Sequence, residues 1–158
     1  MAIEIERKFL VNSAEWRSQV VRSHIIVQGY FSGTPDCSVR VRIADETATL
    51  NIKSLTIGAR RSEFEYAVPL ADARQMLHEF CASRVVEKTR HLVDIDGLRW
   101  EIDEFAGAND GLITAEIELD DESQRFARPS WLGGELTDDP RYYNQRLAEH
   151  PYETWPDE

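Results

Sequence analysis

The sequence predicts a mainly β protein of the α+β class: an eight-stranded antiparallel closed barrel with helices packed outside it. Three observations lead there. Runs of alternating apolar and polar residues recur about eight times, the links between them are short and rich in turn residues, and the charges carried by those runs are sorted by sign from one run to the next.

Taken in order, the strand signals are Ile3 to Val11, His24 to Ser32, Cys37 to Ala44, Thr47 to Leu55, Arg61 to Leu70, Arg84 to Asp94, Leu98 to Phe105 and Leu112 to Leu119. Between them lie Gly33-Thr34-Pro35-Asp36, Ala44-Asp45-Glu46, Gly58, Asp96-Gly97 and the stretch Gly107 to Gly111, all of which carry turn chemistry. Links this short join antiparallel neighbours. Helical spacing interrupts at Ser13 to Val21, where Ser13 can cap, and at Leu70 to Ala82, where Leu70, Ala73, Leu77 and Phe80 share a face. A last helix is expected from Pro140 to about His150. No repeat or linker divides the 158 residues, which are read as one domain, 1–158.

Composition narrows the function. With 29 acidic and 18 basic residues the formal net charge is −11, which argues against a nucleic-acid or anionic-membrane partner. A small anion remains admissible, because a few cations can gather in one cavity of an acidic protein. Cys37 and Cys81 lie far apart without CxxC spacing, so neither a thiolate zinc site nor a disulfide framework is indicated. The N-terminus lacks an apolar signal core, and the protein is expected to be cytoplasmic.

The charges carry the chemical message. Period two places Glu4, Glu6 and Lys8 on one face of the first run and Ile3, Ile5, Arg7 and Phe9 on the other. The same alternation aligns Arg40 with Arg42, Glu63 with Glu65, Lys88 with Arg90, Glu101 with Asp103 and Glu116 with Glu118, and presents Lys53. On a solvated surface such like-sign pairs repel and gain nothing. Facing inward they make sense: carboxylates suit a hard divalent cation, and Arg and Lys suit phosphate oxygens. Eight strands enclose a lumen just wide enough for one small elongated ligand. The apolar faces then look outward and need cover, which Trp16, the Leu70 to Ala82 helix, Trp131, Tyr142, Tyr143 and Leu147 can supply.

These residues, Glu4-Ile5-Glu6-Arg7-Lys8-Phe9-Leu10 followed in order by Val-Arg-Val-Arg, Ile-Lys, Glu-Phe-Glu-Tyr, Glu-Lys-Thr-Arg and Ala-Glu-Ile-Glu-Leu, resemble the CYTH family of triphosphate tunnel metalloenzymes along essentially the whole chain. The closing region from Trp131 through Asn144 is also similar to that of small bacterial members. The resemblance implies metal-dependent hydrolysis of a triphosphate, foremost inorganic tripolyphosphate, with Mg²⁺ or Mn²⁺ as cofactor. It implies a metal wall of Glu4, Glu6, Asp103, Glu116 and Glu118, and a phosphate clamp of Lys8, Arg40, Arg42, Lys53, Lys88 and Arg90. Tyr30 matches a tyrosine that pairs with the lysine at Lys88 to activate water. Glu63, Glu65 and Glu101 are tunnel acids of less definite role, a second metal site or a brace for the arginines. Asn51 stands where members commonly have Thr.

Within the family, thiamine triphosphatase and class IV adenylate cyclase are the rival activities, and a non-catalytic polyphosphate- or nucleotide-binding barrel is the rival class. No GxSxG, GxxxxGK[ST] or HExxH motif offers another chemistry. The expected partner is a small polyanionic triphosphate, with no nucleic acid, no membrane, and a homodimer left open.

Overall fold

A computed structural model describes residues 2–156. Its strands are β1 (Ile3–Val11), β2 (Val20–Tyr30), β3 (Cys37–Ala44), β4 (Thr47–Ser54), β5 (Arg60–Val68), β6 (Val85–Ile95), β7 (Leu98–Phe105), β8 (Ile113–Leu119) and β9 (Leu132–Glu135). Eight of them close an antiparallel barrel in the order β5-β4-β3-β2-β6-β7-β8-β1 and back to β5. β1 is the seam. One edge pairs with β8 from Ile5 to Leu10, while the other pairs with β5 over Ile3 to Ile5 and then with β9 at Phe9 and Val11. β9 therefore takes up backbone groups that β5 leaves unpaired, a role that Leu132-Gly133-Gly134-Glu135 does not advertise by any alternation.

The expected barrel is present, with local differences in its elements. The Ser13 to Val21 helix contracts to a 3-10 turn, Glu15–Gln19, and Val20 and Val21 instead open β2 four residues earlier than expected. Pairing of Val20 with Val93 on β6 outweighs the weak helical signal of two β-branched residues. The turn is anchored by Trp16, which is fully buried. Asp96 and Gly97, both at positive φ, make the tight β6–β7 hairpin that the sequence announces.

The second helix, α1 (Leu70–Met76), runs into a widened π turn, Leu77–Cys81. That turn advances the phase of the helix by about one residue. Cys81 consequently faces the barrel in place of Phe80, which is 53% exposed. Cys81 packs directly on β2 at Gly29, where a Cβ would lie 2.6 Å from that of Cys81.

The apolar core lies outside the barrel wall. Phe9, Trp100, Ile102 and Ile117 project outward from β1, β7 and β8 and are covered by Trp16 and Trp131. Trp100 meets Trp131 edge to face at 5.6 Å between ring centroids. A second cluster, with Val41, Ala48, Ala73 and Cys81, seats α1 on the outer face of the barrel. A third, with Val86, Phe105, Leu112 and Leu147, docks the C-terminal segment.

That segment corrects the expectation of one outlying helix. It divides into a 3-10 turn, Pro140–Tyr142, and the short helix α2, Asn144–Glu149, with extended backbone at Tyr143. Six residues do not make a stable helix alone. Burial of Leu147, worth roughly 1.5–3 kcal/mol, holds it in place.

Candidate active site

The barrel encloses a cavity of about 500 Å³. Eight basic and eight acidic side chains line it, balanced charge inside a chain of net charge −11. The strand order sorts them by sign. Arg40 and Arg42 on β3, Lys53 on β4, and Lys88 and Arg90 on β6 occupy neighbouring strands around one half of the wall, together with Gln28 and Tyr30 on β2. Glu101 on β7, Glu116 and Glu118 on β8, Glu4 and Glu6 on β1, and Glu63 and Glu65 on β5 occupy the other half. Two cations, Lys8 on β1 and Arg61 on β5, stand among the acids.

On the basic half, Lys88 and Arg90 grip one buried carboxylate. Lys88 Nζ lies 2.7 Å from Asp103 Oδ2, and Arg90 donates to both oxygens of Asp103 at 2.8 and 2.9 Å. Asp103 is wholly buried behind these cations and does not line the cavity. The sequence expects it on the metal wall; in the structure its lone pairs face Lys88 and Arg90, which hold its carboxyl down at about 2 against the cost of burial. Burial, with Arg90 and Arg42 nearby, pushes Lys88 down to about 7 despite Asp103. Burial and then Arg40 and Arg90 push Arg42 down to about 9. Among the described residues Arg42 has no carboxylate within ion-pair distance; its Nε donates to Gln28 Oε1 at 2.9 Å.

Gln28 is the hub of this half. Its amide nitrogen donates to Tyr30 Oη at 2.7 Å and to Asn144 Oδ1 at 3.2 Å, and Asn144 Oδ1 also accepts from Lys88 at 2.7 Å. Tyr30 and Lys88 are thus joined through Gln28 and Asn144, not by a direct hydrogen bond.

Carboxylates crowd one another on the acidic half. Burial first, then Glu116 and Glu4, raise Glu6 well above the ordinary carboxylate range. Glu118 is raised by burial, Glu4 and Glu101. Burial would raise Glu116 too, but Lys8, Arg90, Lys88 and Lys53 override it and keep Glu116 well below its ordinary value. Among the described residues no three His, Cys, Asp or Glu side chains already enclose a metal-sized point. Lysines intervene, with Lys8 3.3 Å from Glu116 and Lys53 3.5 Å from Glu4. The donor set nonetheless fits a hard divalent cation, since the oxygens of Glu4, Glu6 and Glu118 repel one another and have too few cations to neutralise them.

Glu63 and Glu65 act differently from these. Both accept from Asn51 Nδ2, at 3.0 and 2.9 Å, and Glu63 lies 3.7 Å from Arg40 and 3.8 Å from Lys53. These contacts tie Glu63 and Glu65 together through the amide of Asn51 and set Glu63 against Arg40 and Lys53. Glu101 likewise lies 2.9 Å from Arg90.

One end of the barrel is lined by the segment from Thr137 to Glu149 and the β4–β5 loop. Lys8 Nζ donates to Tyr142 O at 3.0 Å, and the Tyr143 hydroxyl donates to Thr137 O at 2.6 Å while accepting from Gly58 N. The C-terminal helix is therefore part of the site and not only packing, contrary to expectation. Sequence reasoning missed Gln28, Asn144, Tyr143 and Arg61. Arg61 and Gln28 were legible, because Arg61 shares its face with Glu63 and Glu65 and Gln28 shares its face with Tyr30; Asn144 and Tyr143 carry no periodic signal.

Comparison with known proteins accords with this geometry. A family model described as the CYTH domain matches residues 2–147. An inorganic triphosphatase of Acetivibrio thermocellus is 41% identical over 155 residues, 98% of this chain and 99% of that protein. An inorganic triphosphatase of Nitrosomonas europaea is 36% identical, over 92% of this chain and 96% of that protein. A crystal structure of an inorganic triphosphatase superposes with a TM-score of 0.69 at 32% identity, covering 99% of both chains. By its sequence, its closed barrel and its sorted tunnel charges, the chain belongs to the CYTH domain family.

Proposed function

We propose that this chain hydrolyses inorganic tripolyphosphate to diphosphate and phosphate in its tunnel, with a divalent cation as cofactor. The observation that carries the reading is the division of one lumen into a basic half and an acidic half. A triphosphate brings four to five negative charges, to which Arg40, Arg42, Lys53, Lys88 and Arg90 are placed to donate charge-assisted hydrogen bonds. Arg42 supports this most directly, being a guanidinium with no carboxylate of its own among the described residues. Glu4, Glu6, Glu116 and Glu118 would hold Mg²⁺ or Mn²⁺, which would draw negative charge from the transferring phosphoryl group.

The protein's remaining task is positioning, since phosphoryl transfer asks for little covalent chemistry. Lys88 is anchored by Asp103 and Asn144, so its neutral form has a lone pair left for the lumen. There it can take the proton of the attacking water as that oxygen bonds to phosphorus and the bridging P–O bond breaks. Tyr30, held by Gln28, is placed to orient the same water. Asp103 and Glu63 maintain the clamp without touching substrate.

The test is phosphate release from tripolyphosphate, thiamine triphosphate and ATP, with Mg²⁺ or Mn²⁺ and with excess EDTA. Tripolyphosphate is expected to be the best substrate, and EDTA to stop turnover. Pyrophosphate release from ATP as the dominant reaction would overturn the substrate assignment. Undiminished turnover in EDTA would remove the metal.

A further inference from the structure

We propose that Arg61 is a specificity residue that grips the outermost phosphate of the bound triphosphate and makes the site count three phosphates instead of two. The inference rests on the triphosphatase reading and deepens it. Arg61 projects from the acidic half of the wall, across the barrel from β6, yet among the described residues it forms no ion pair: its register partner Glu4 lies against Lys53. Among the described residues its guanidinium makes one hydrogen bond, a long one of 3.5 Å from Nη2 to Gly58 O, and its buried Nε has no partner there. An arginine fork left this unsatisfied is matched to an anion that arrives.

Its placement selects which anion. The guanidinium stacks over the Tyr143 ring at 5.0 Å, and that ring is pinned by hydrogen bonds from its hydroxyl to Thr137 O and from Gly58 N. Arg61 is thereby held at the end of the cavity lined by the β4–β5 loop and the C-terminal segment. Lys88 and Arg90 are fixed on the opposite half of the wall by Asp103, and Lys88 also donates to Asn144, the neighbour of Tyr143. On the triphosphatase reading the bound phosphate chain runs from Lys88 and Arg90 toward Arg61, and a diphosphate is one phosphoryl unit shorter along that path. A third phosphate extends to it.

The test measures binding of tripolyphosphate and of diphosphate to the wild type, Arg61→Ala, Arg61→Lys and Tyr143→Phe by titration calorimetry in one EDTA buffer, in which the ligand is not turned over, alongside thermal melts. Arg61→Ala should weaken tripolyphosphate at least about tenfold, the scale of a charged hydrogen bond lost from a confined site, and leave diphosphate within about threefold. Arg61→Lys should recover part of the loss, and Tyr143→Phe should reproduce a smaller version of it. Melting temperatures should stay near wild type, since no ion pair is broken. Equal weakening of both ligands, or a well-folded Arg61→Ala protein that binds tripolyphosphate like wild type, would overturn the role of Arg61 alone. A wild type that binds no tripolyphosphate would overturn the triphosphatase reading as well.

Discussion

Replacing Asp103 by Asn separates two roles for the most buried carboxylate of the barrel. As a brace, Asp103 compensates Lys88 and Arg90 through contacts of 2.7 to 2.9 Å in a place with no solvent. Two bounds on the cost agree in scale. A carboxyl held at about 2 instead of 3.8 contributes about 2 kcal/mol to the folded state at neutral pH. Removing one partner of a buried ion pair typically costs about 3–5 kcal/mol, because the charge left behind is unpaired. For a domain of this size each kcal/mol lowers the melting temperature by roughly 2–4 °C, so Asp103→Asn should melt roughly 5–20 °C below wild type in metal-free buffer. The sign with pH follows from the depressed value: the contribution is complete above about 3.8 and fades as pH falls toward 2, so the wild-type and variant melts should converge in acid. The assay is a set of melts between pH 3 and 8 in EDTA, with the Mg²⁺ concentration for half-maximal activity measured separately. A variant with wild-type melting in EDTA and a strongly raised Mg²⁺ requirement would refute the brace and return Asp103 to the metal wall.

Two further outcomes are expected. Glu6→Gln removes a carboxylate that its neighbours already disfavour, so above the ordinary carboxylate range it should leave the metal-free melting temperature unchanged or higher while abolishing most of the shift produced by Mg²⁺; a lower metal-free melt with a full Mg²⁺ shift would contradict the metal wall. Tyr30→Phe keeps the ring but not the hydroxyl and should lower kcat by about two orders of magnitude, with little change in KM. The pH profile of kcat/KM should rise through about 7 as free Lys88 loses its proton, and that of kcat at higher pH because bound polyanion favours the ammonium; a flat profile with wild-type kcat in Tyr30→Phe would leave the base unassigned.

Much of this protein was determined by its sequence because its signals are local. Period two on Ile3 to Val11 or Leu98 to Phe105 states which residues share a face, and like-sign pairs such as Arg40 with Arg42 and Glu116 with Glu118 state that the face is a built site. The barrel and its inward charges were therefore legible. Tertiary structure alone decided what depends on residues far apart in the chain. Asp103 and Glu101 share a face and a sign, and pairing with β6 is what turns Asp103 into the counter-ion of Lys88 and Arg90. Asn144 lies 56 residues from Lys88, on a helix too short to be stable alone, so no pattern foretells their contact. Phe80 and Cys81 exchanged places because a single widened turn shifts helix phase, which composition does not encode. Cross-strand register and the docking of the chain end set these outcomes, and both are settled by the free energy of the closed barrel as a whole.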